Sequence, residues 1–381
     1  MNCPLIVHLV HRFDTGGMEN GMVNLFNHLP PERYRHAVVA LTDYTDFRQR
    51  ICAQRVDFYA LHKRTGNDPA VFARLFRLLR QLKPAVLHSR NLAALEGQFV
   101  AVAAGVKGRI HGEHGRDTFD LHGQSWQYNL LRKAARPFVH EYIAVSKDLA
   151  GWLLNTIGTK HSRINQIYNG VDSDKFQPRR GTRPGILPPG FADEDSVVFG
   201  SVGRMAVVKD YPTLVRAFIQ LVQGSDEARR KARLVLVGEG VARAQCQQLL
   251  AEAGQSELAW LPGERHDIAE CLQTLDVFVL PSLNEGISNT ILEAQACGLP
   301  VIATRMGGNV ELVSEGQNGA LLEPANPMTL ARVLRSYLAD PARRQREGAA
   351  ARAGIKSAHN LDSMAAGYRT VYDRVLAATN K

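Results

Sequence analysis

Pro281-Ser282-Leu283-Asn284-Glu285-Gly286-Ile287-Ser288-Asn289-Thr290-Ile291-Leu292-Glu293-Ala294 follows a short apolar run, Val277 to Leu280. The run reads as a parallel strand buried on both faces, because it is continuous and not alternating. Pro281 ends the strand, and Gly286 lets the backbone turn tightly. Ser288 or Asn289 can then cap a helix that carries Ile291, Leu292 and Ala296 inward. A strand, a glycine-containing loop and a helix start make a seat for phosphate, since unpaired N–H groups and the helix dipole point at the ligand. Glu285 and Glu293 flank that seat. Carboxylates repel phosphates, so their natural partners are neutral sugar hydroxyls on either side, and the segment points to a nucleotide-sugar site. On these residues alone, an ordinary strand–helix turn with two solvated glutamates is the competing reading.

Outward from this segment the chain alternates apolar strands with amphipathic helices. Expected strands are Leu5–Val10, His36–Leu41, Asp57–Ala60, Ala85–His88, Gly108–Glu113, Glu141–Ala144 and Arg163–Ile167, then Val197–Val202, Leu234–Val237, Leu258–Leu261, Val277–Leu280, Val301–Ala303 and Ala320–Leu322. This alternation implies parallel, doubly wound α/β sheets with right-handed crossovers. A polar, proline-rich stretch from Phe176 to Gly185 reads as a linker or exposed loop. Leu361 to Ala378 reads as one amphipathic helix without a strand of its own. At 381 residues the chain exceeds one ordinary core, so two domains are expected.

In such sheets ligands bind outside the carboxyl ends of the strands. The first strand is followed by Gly16-Gly17 and a helix from about Met18; glycines there are as often steric as functional. Gly112-Glu113-His114-Gly115 holds a histidine between glycines, which can reach a ligand or simply face water. Gly203-Arg204 to Lys209 places two cations around the start of a helix, a pattern suited to a diphosphate: the guanidinium forks onto two oxygens and the ammonium acts as a point charge. A solvated basic loop is the plain alternative. Gly238-Glu239-Gly240 begins a dinucleotide fingerprint but carries Arg243 where the third glycine belongs, so a nicotinamide dehydrogenase is disfavoured. Gly263 can bring backbone amides to a base ring.

Composition narrows the class. Hydrophobic residues are 45% and charged residues 22%, as in ordinary globular proteins. No apolar run approaches the ~18 residues needed to span a bilayer. Met1-Asn2-Cys3-Pro4 lacks a basic segment and a cleavage site, so no signal peptide is expected. Five scattered cysteines without C-x-x-C spacing argue for a reduced, cytoplasmic protein without a zinc site. The net charge of +9 favours an anionic partner. Aromatic residues, at 7%, show no interleaved stacking pattern, which argues against nucleic acid.

Together these segments resemble the retaining, GT-B-fold glycosyltransferases of family 4 over nearly the whole length. Glu285 to Glu293 matches that family's E-x7-E pattern, Arg204 and Lys209 match its basic pair, and Asn169-Gly170-Val171-Asp172-Ser173-Asp174-Lys175-Phe176 resembles its interdomain crossing. More narrowly, Val7 to Phe13 with Gly16-Gly17-Met18-Glu19-Asn20-Gly21, and Glu285 to Thr290, resemble sugar transferases of bacterial exopolysaccharide clusters linked to the exosortase/PEP-CTERM system. The resemblance implies two Rossmann-like domains facing across a cleft: residues 1–170 on the acceptor side, joined by a C-terminal helix over 361–381, and residues 171–360 on the donor side.

The resemblance also implies roles. Arg204 and Lys209 bind the donor diphosphate, with Gly203 and the amides of Gly286, Ile287 and Ser288 sharing the anion. Glu293 holds the ribose, and Glu285 the transferred sugar. His114 lies near the reaction centre, Gly16 and Gly17 close over the phosphates, and Gly263 approaches the base. The family usually has a bulky aromatic or a second glycine where this chain has Ile287-Ser288, a departure that bears on contacts around the donor sugar.

The chemistry fits this inventory. Breaking a glycosyl–phosphate bond leaves negative charge on the diphosphate, and fixed cations stabilise it without rearrangement. No metal or other cofactor is therefore expected. Asp172-Ser173-Asp174 and Asp193-Glu194-Asp195 imitate a metal-binding signature, but they fall in the crossing and in a polar loop. UDP is the leading nucleotide from the family's usage, with GDP and ADP open; the acceptor is a glycan or lipid-linked molecule. Front-face retention, with the leaving phosphate assisting deprotonation of the acceptor, is likewise carried from the family. The rivals are a same-fold nucleotide-sugar epimerase and a non-catalytic nucleotide-binding protein. Ala73 to Lys83 and Trp126 to Arg136 read as basic amphipathic helices, able to lie on an anionic membrane or to pack their apolar faces on the sheet.

Overall fold

The computed structural model describes residues 3–116 and 119–379. It divides into two compact units, Met1–Gly170 with Leu361–Lys381, and Val171–Asn360.

In the first unit β1 (Leu5–Val10), β2 (Arg35–Ala40), β3 (Val56–Ala60), β4 (Val86–Arg90), β5 (Gly108–Glu113), β6 (Glu141–Ala144) and β7 (Ile164–Gln166) form one sheet in the order β3-β2-β1-β4-β5-β6-β7. Every pairing is parallel. The chain winds outward from β1 to β3 and resumes at β4 on the other side of β1. The order therefore reverses between β1 and β4, the place where such sheets open a crevice at their carboxyl ends. The helix Leu361–Thr379 belongs to this unit. Its Met364, Tyr368, Val371, Tyr372 and Val375 pack with Ile6, Val86 and Ile110 of the sheet, and Asp373 pairs with Arg33 at 2.6 Å.

In the second unit β8 (Val197–Val202), β9 (Ala232–Val237), β10 (Ala259–Gly263), β11 (Val277–Leu280), β12 (Val301–Thr304) and β13 (Gly319–Leu322) form a parallel sheet ordered β10-β9-β8-β11-β12-β13. Its reversal lies between β8 and β11. The helix Tyr211–Gln223 buries Tyr211, Leu214, Val215, Phe218 and Leu221 in this core, each worth roughly 1.5–3 kcal/mol against exposure.

The stretch from Phe176 to Gly185 is an exposed loop pinned to the second unit, not a free linker. Arg183 and Arg179 both reach the carboxylate of Asp276, at 2.6 and 3.1 Å, and Gln273 donates to the Gln177 carbonyl at 2.9 Å.

The two basic helices differ. The helix Ala70–Leu82 buries Val71, Leu75 and Leu79 in the core and turns Arg77 and Arg80 to water. The helix Trp126–Ala135 does the reverse. Its Arg132 points inward, while Trp126 and Leu130 are 71% and 58% exposed. No helix among the described residues is long and apolar enough to cross a membrane.

Candidate functional site

The carboxyl ends of β8 and β11 bring together the basic pair and the acidic loop. After β8, Gly203 adopts φ +147°, and the chain runs through a single 3-10 turn, Val207–Lys209. Asp210, left-handed at φ +45°, redirects it into the helix Tyr211–Gln223. After β11 the loop from Pro281 to Ser288 leads into the helix Asn289–Ala296. Ser288 is its cap, accepting from the Ile291 N–H at 3.4 Å. The Leu283 N–H donates to the Val208 carbonyl at 2.8 Å and fastens the two loops to each other.

Across that junction Lys209 Nζ lies 2.6 Å from Glu285 Oε1, and Ser282 Oγ donates to the same oxygen at 2.7 Å. Glu285 Oε2 makes no hydrogen bond among the described residues. One oxygen fixes the side chain and the other is left as an acceptor. Arg204 is exposed, and its guanidinium forms no hydrogen bond or ion pair among the described residues. Glu293 is half-buried in the second turn of the helix Asn289–Ala296. Ile287 is buried.

Gly238 and Gly240 owe their identity to packing, not to a dinucleotide. A Cβ on Gly238 would stand 2.0 Å from the Gly203 carbonyl oxygen, and one on Gly240 would stand 2.6 Å from that of Met205. Met205 and Glu239 are joined through the backbone at 2.7 Å. These glycines therefore seat the Arg204 loop. Gly263 ends β10, two strands from β8, and its carbonyl accepts from the Gly238 N–H at 2.8 Å.

The Asp-x-Asp strings serve turns. Asp172 Oδ1 accepts from the N–H groups of Asp174 and Lys175, and Asp193 pairs with Ser196. Among the described residues no cluster of three or more His, Cys, Asp or Glu could hold a metal.

The first unit's switch point is built differently. Gly16 precedes the helix Gly17–His28, and the Glu19 carboxylate folds back against it, 2.2 Å from where a Gly16 Cβ would lie. His114 follows β5, its N–H held by Asn91 Oδ1 at 2.8 Å. Its Nε2 is buried and makes no hydrogen bond among the described residues, and it lies close to Gly112. Burial, and then the Arg90 guanidinium, push this imidazole down to about 3, so it is neutral.

Behind it lies a network that sequence reading missed. Arg90, 1% exposed, donates to His8 Nδ1 at 2.9 Å, and His8 Nε2 meets His36 Nδ1 at 2.9 Å. His88 Nδ1 meets the Tyr372 hydroxyl at 3.0 Å. Burial above all, with Arg90 adding to it, holds His8 and His88 well below the usual imidazole range and brings His36 to about 3. The signal in the sequence was a histidine on each of three neighbouring strands. Glu113, also buried, accepts from Arg132 Nε at 2.8 Å and lies 3.3 Å from His111 Nε2. Burial pushes its carboxyl up, but Arg132 and His111 outweigh that and hold it at about 2.

Comparison with known proteins accounts for this architecture. Residues 15–175 match the Glycosyltransferase Family 4 model and residues 196–340 the Glycosyl transferases group 1 model. The D-inositol 3-phosphate glycosyltransferase of Geodermatophilus obscurus is 33% identical over 249 residues, 63% of this chain and 54% of that protein. The chain thus spans about half the length of such curated relatives. EpsF of Bacillus subtilis is 24% identical over 312 residues, 78% of each chain. The solved structure of Anabaena HepE in complex with UDP and glucose superposes with a TM-score of 0.79 at 19% identity, over 97% of this chain and 99% of that one. The two sheets, each reversing beside its first strand, are those of the GT-B fold. The chain belongs to the family 4 glycosyltransferases.

Proposed function

We propose that the protein is a retaining, metal-independent glycosyltransferase. It moves a sugar from a nucleoside-diphosphate donor, UDP-linked, to a glycan or lipid-linked acceptor in the synthesis of an exopolysaccharide or other cell-surface polysaccharide. The observation that carries this reading is the Glu285 carboxylate, fixed through one oxygen by Lys209 and Ser282 with the other oxygen free of hydrogen bonds among the described residues, on a loop fastened to the one that carries Arg204 and Lys209. Arg204 and Lys209 bind the diphosphate and stabilise the charge that develops on it as it leaves. The helix start at Ser288 adds its N–H groups to the same anion. Glu285 Oε2 accepts from hydroxyls of the transferred sugar, and Glu293 accepts from the ribose. Lys209 is shared between Glu285 and the phosphates, so the carboxylate orients the ammonium before the donor arrives. His114, neutral, can accept or donate one hydrogen bond but carries no charge. HepE, whose complex contains UDP and glucose, supports the choice of base.

Peripheral association with an anionic membrane belongs to the same reading. Phe119, Trp126 and Leu130 are exposed, and Lys133 follows on the exposed face of the helix Trp126–Ala135. Aromatic side chains beside a cation suit an interface.

The test is a thermal-shift series with UDP, GDP, ADP, TDP and NADH, each with and without EDTA. A ligand at ~100 times its dissociation constant adds roughly 2.7 kcal/mol to stability. An EDTA-insensitive shift with one diphosphate supports the reading and names the base. A shift that needs metal, or none with any diphosphate, overturns it.

A further inference from the structure

β12 ends at Thr304 and turns through Arg305-Met306-Gly307-Gly308 into Asn309. This second glycine pair lies directly against the Glu285 loop. A Cβ on Gly307 would stand 1.9 Å from the Glu285 carbonyl oxygen, and one on Gly308 would stand 2.0 Å from that of Gly286 and 2.8 Å from Ile287 Cδ1. Backbone touches backbone here, and no other residue type fits without moving the loop. The Gly308 N–H donates to the Glu285 carbonyl at 3.0 Å.

A buried polar chain runs beside that contact. Asn309, fully buried, donates through Nδ2 to the Thr304 carbonyl at 3.2 Å. The Thr304 hydroxyl, itself buried, donates to the Ser282 carbonyl. The Ser282 hydroxyl donates to Glu285 Oε1 at 2.7 Å. Glu285 is thus anchored twice from the β12 turn, through its main chain by Gly308 and through Ser282 by Thr304.

We infer that Thr304, Gly308 and Asn309 are positioning residues for the donor sugar: they set where Glu285 Oε2 stands without touching the ligand themselves. The inference rests on the assignment of Glu285 to the transferred sugar. Hydrogen bonds within a low-dielectric interior hold geometry tightly, and a displacement of about 1 Å at a binding carboxylate is costly. Thr304 and Asn309 make none of the contacts assigned to the diphosphate, whereas Gly308 packs on the Gly286 carbonyl and on Ile287, whose amides are assigned to the anion. Loss of the Thr304 hydroxyl therefore weakens binding of the sugar moiety and leaves binding of the diphosphate intact.

The experiment compares affinities by calorimetry. Wild type is titrated with UDP, GDP, ADP and TDP, and then with the glucose, galactose, mannose and N-acetylglucosamine conjugates of the base that binds. The ratio of conjugate to diphosphate affinity is then measured in Thr304→Val, Thr304→Ser and Gly308→Ala. Thr304→Val, which keeps the shape and removes the hydroxyl, should lower that ratio roughly five- to tenfold with the diphosphate affinity unchanged, the size of one buried hydrogen bond. Thr304→Ser should restore it, and Gly308→Ala, which displaces Gly286 and Ile287 as well as Glu285, should weaken conjugate and diphosphate together. A Thr304→Val ratio equal to wild type, or an equal loss for diphosphate and conjugate in that variant, overturns the inference, whatever the change in melting temperature. Failure of wild type to bind any of the diphosphates overturns the donor-site assignment itself, and the inference falls with it.

Discussion

The carboxyl edges of the two sheets are built on one topology and treat their polar groups in opposite ways. In the second unit the charges stand at the edge: Lys209 and Glu285 form a part-buried pair, and Arg204, on the same loop as Lys209, is exposed. In the first unit they are drawn inside. Arg90 and the rings of His8, His36 and His88 lie within the sheet, and Glu113 is closed off by Arg132. Under the proposed function the second unit presents fixed cations to an anion. The first keeps neutral histidines around one buried guanidinium, an arrangement that holds only while they stay unprotonated.

Acid should separate the units most strongly. The folded pKa of each buried ring lies below its unfolded value near 6.5, so the unfolded chain takes up protons first. Stability is complete above about pH 6.5 and is lost as pH falls toward the folded values, about 3 for His36 and His114. At pH 5 each ring costs up to about 2 kcal/mol by linkage. Hydrogen exchange followed by mass spectrometry should show the first unit losing protection before the second between pH 6.5 and 4.5. Simultaneous loss would erase the contrast.

Removing single charges should sharpen it further. Arg132→Ala strands Glu113 in the interior and should cost about 3–5 kcal/mol in denaturant unfolding. Replacing both, Arg132→Met with Glu113→Gln, should recover most of that. Lys209→Ala should instead leave the melting temperature nearly unchanged and slow transfer ~10²–10³-fold. Arg204→Ala, at an exposed and unpaired position, should slow transfer less, roughly tenfold, with stability within about 0.5 kcal/mol of wild type. The smallest effect on the fold belongs to Trp126→Ser: no change in unfolding beyond about 0.5 kcal/mol, with loss of flotation on anionic liposomes at low salt.

Strands such as β1, β8 and β11 were legible because parallel strands buried on both faces are largely apolar runs, and these begin and end where the pattern places them. The loop after β11 was legible for a similar reason, since proline, glycine and serine each mark one step of a strand–helix turn. Side-chain direction was harder to read. The arginines of 74–80 and of 132–136 look alike in sequence, yet the helix Ala70–Leu82 points an aliphatic face inward while Arg132 is buried on Glu113. Nothing local to Arg132 signals that, because its partner lies 19 positions away. The β12 turn was overlooked because Gly307-Gly308 matters through the Glu285 loop it touches, a contact that exists only once the strands are ordered. The arginines at 179 and 183 resembled linker residues until Asp276 appeared beside them.

The central claim is that the edge of the second sheet is a prebuilt diphosphate and sugar site. The most direct measurement is hydrogen exchange with and without a saturating nucleoside diphosphate, chosen from the thermal-shift series. The account predicts new protection in the segments 203–210 and 284–293, reduced in Lys209→Ala. A bound diphosphate that leaves both segments unchanged would contradict it.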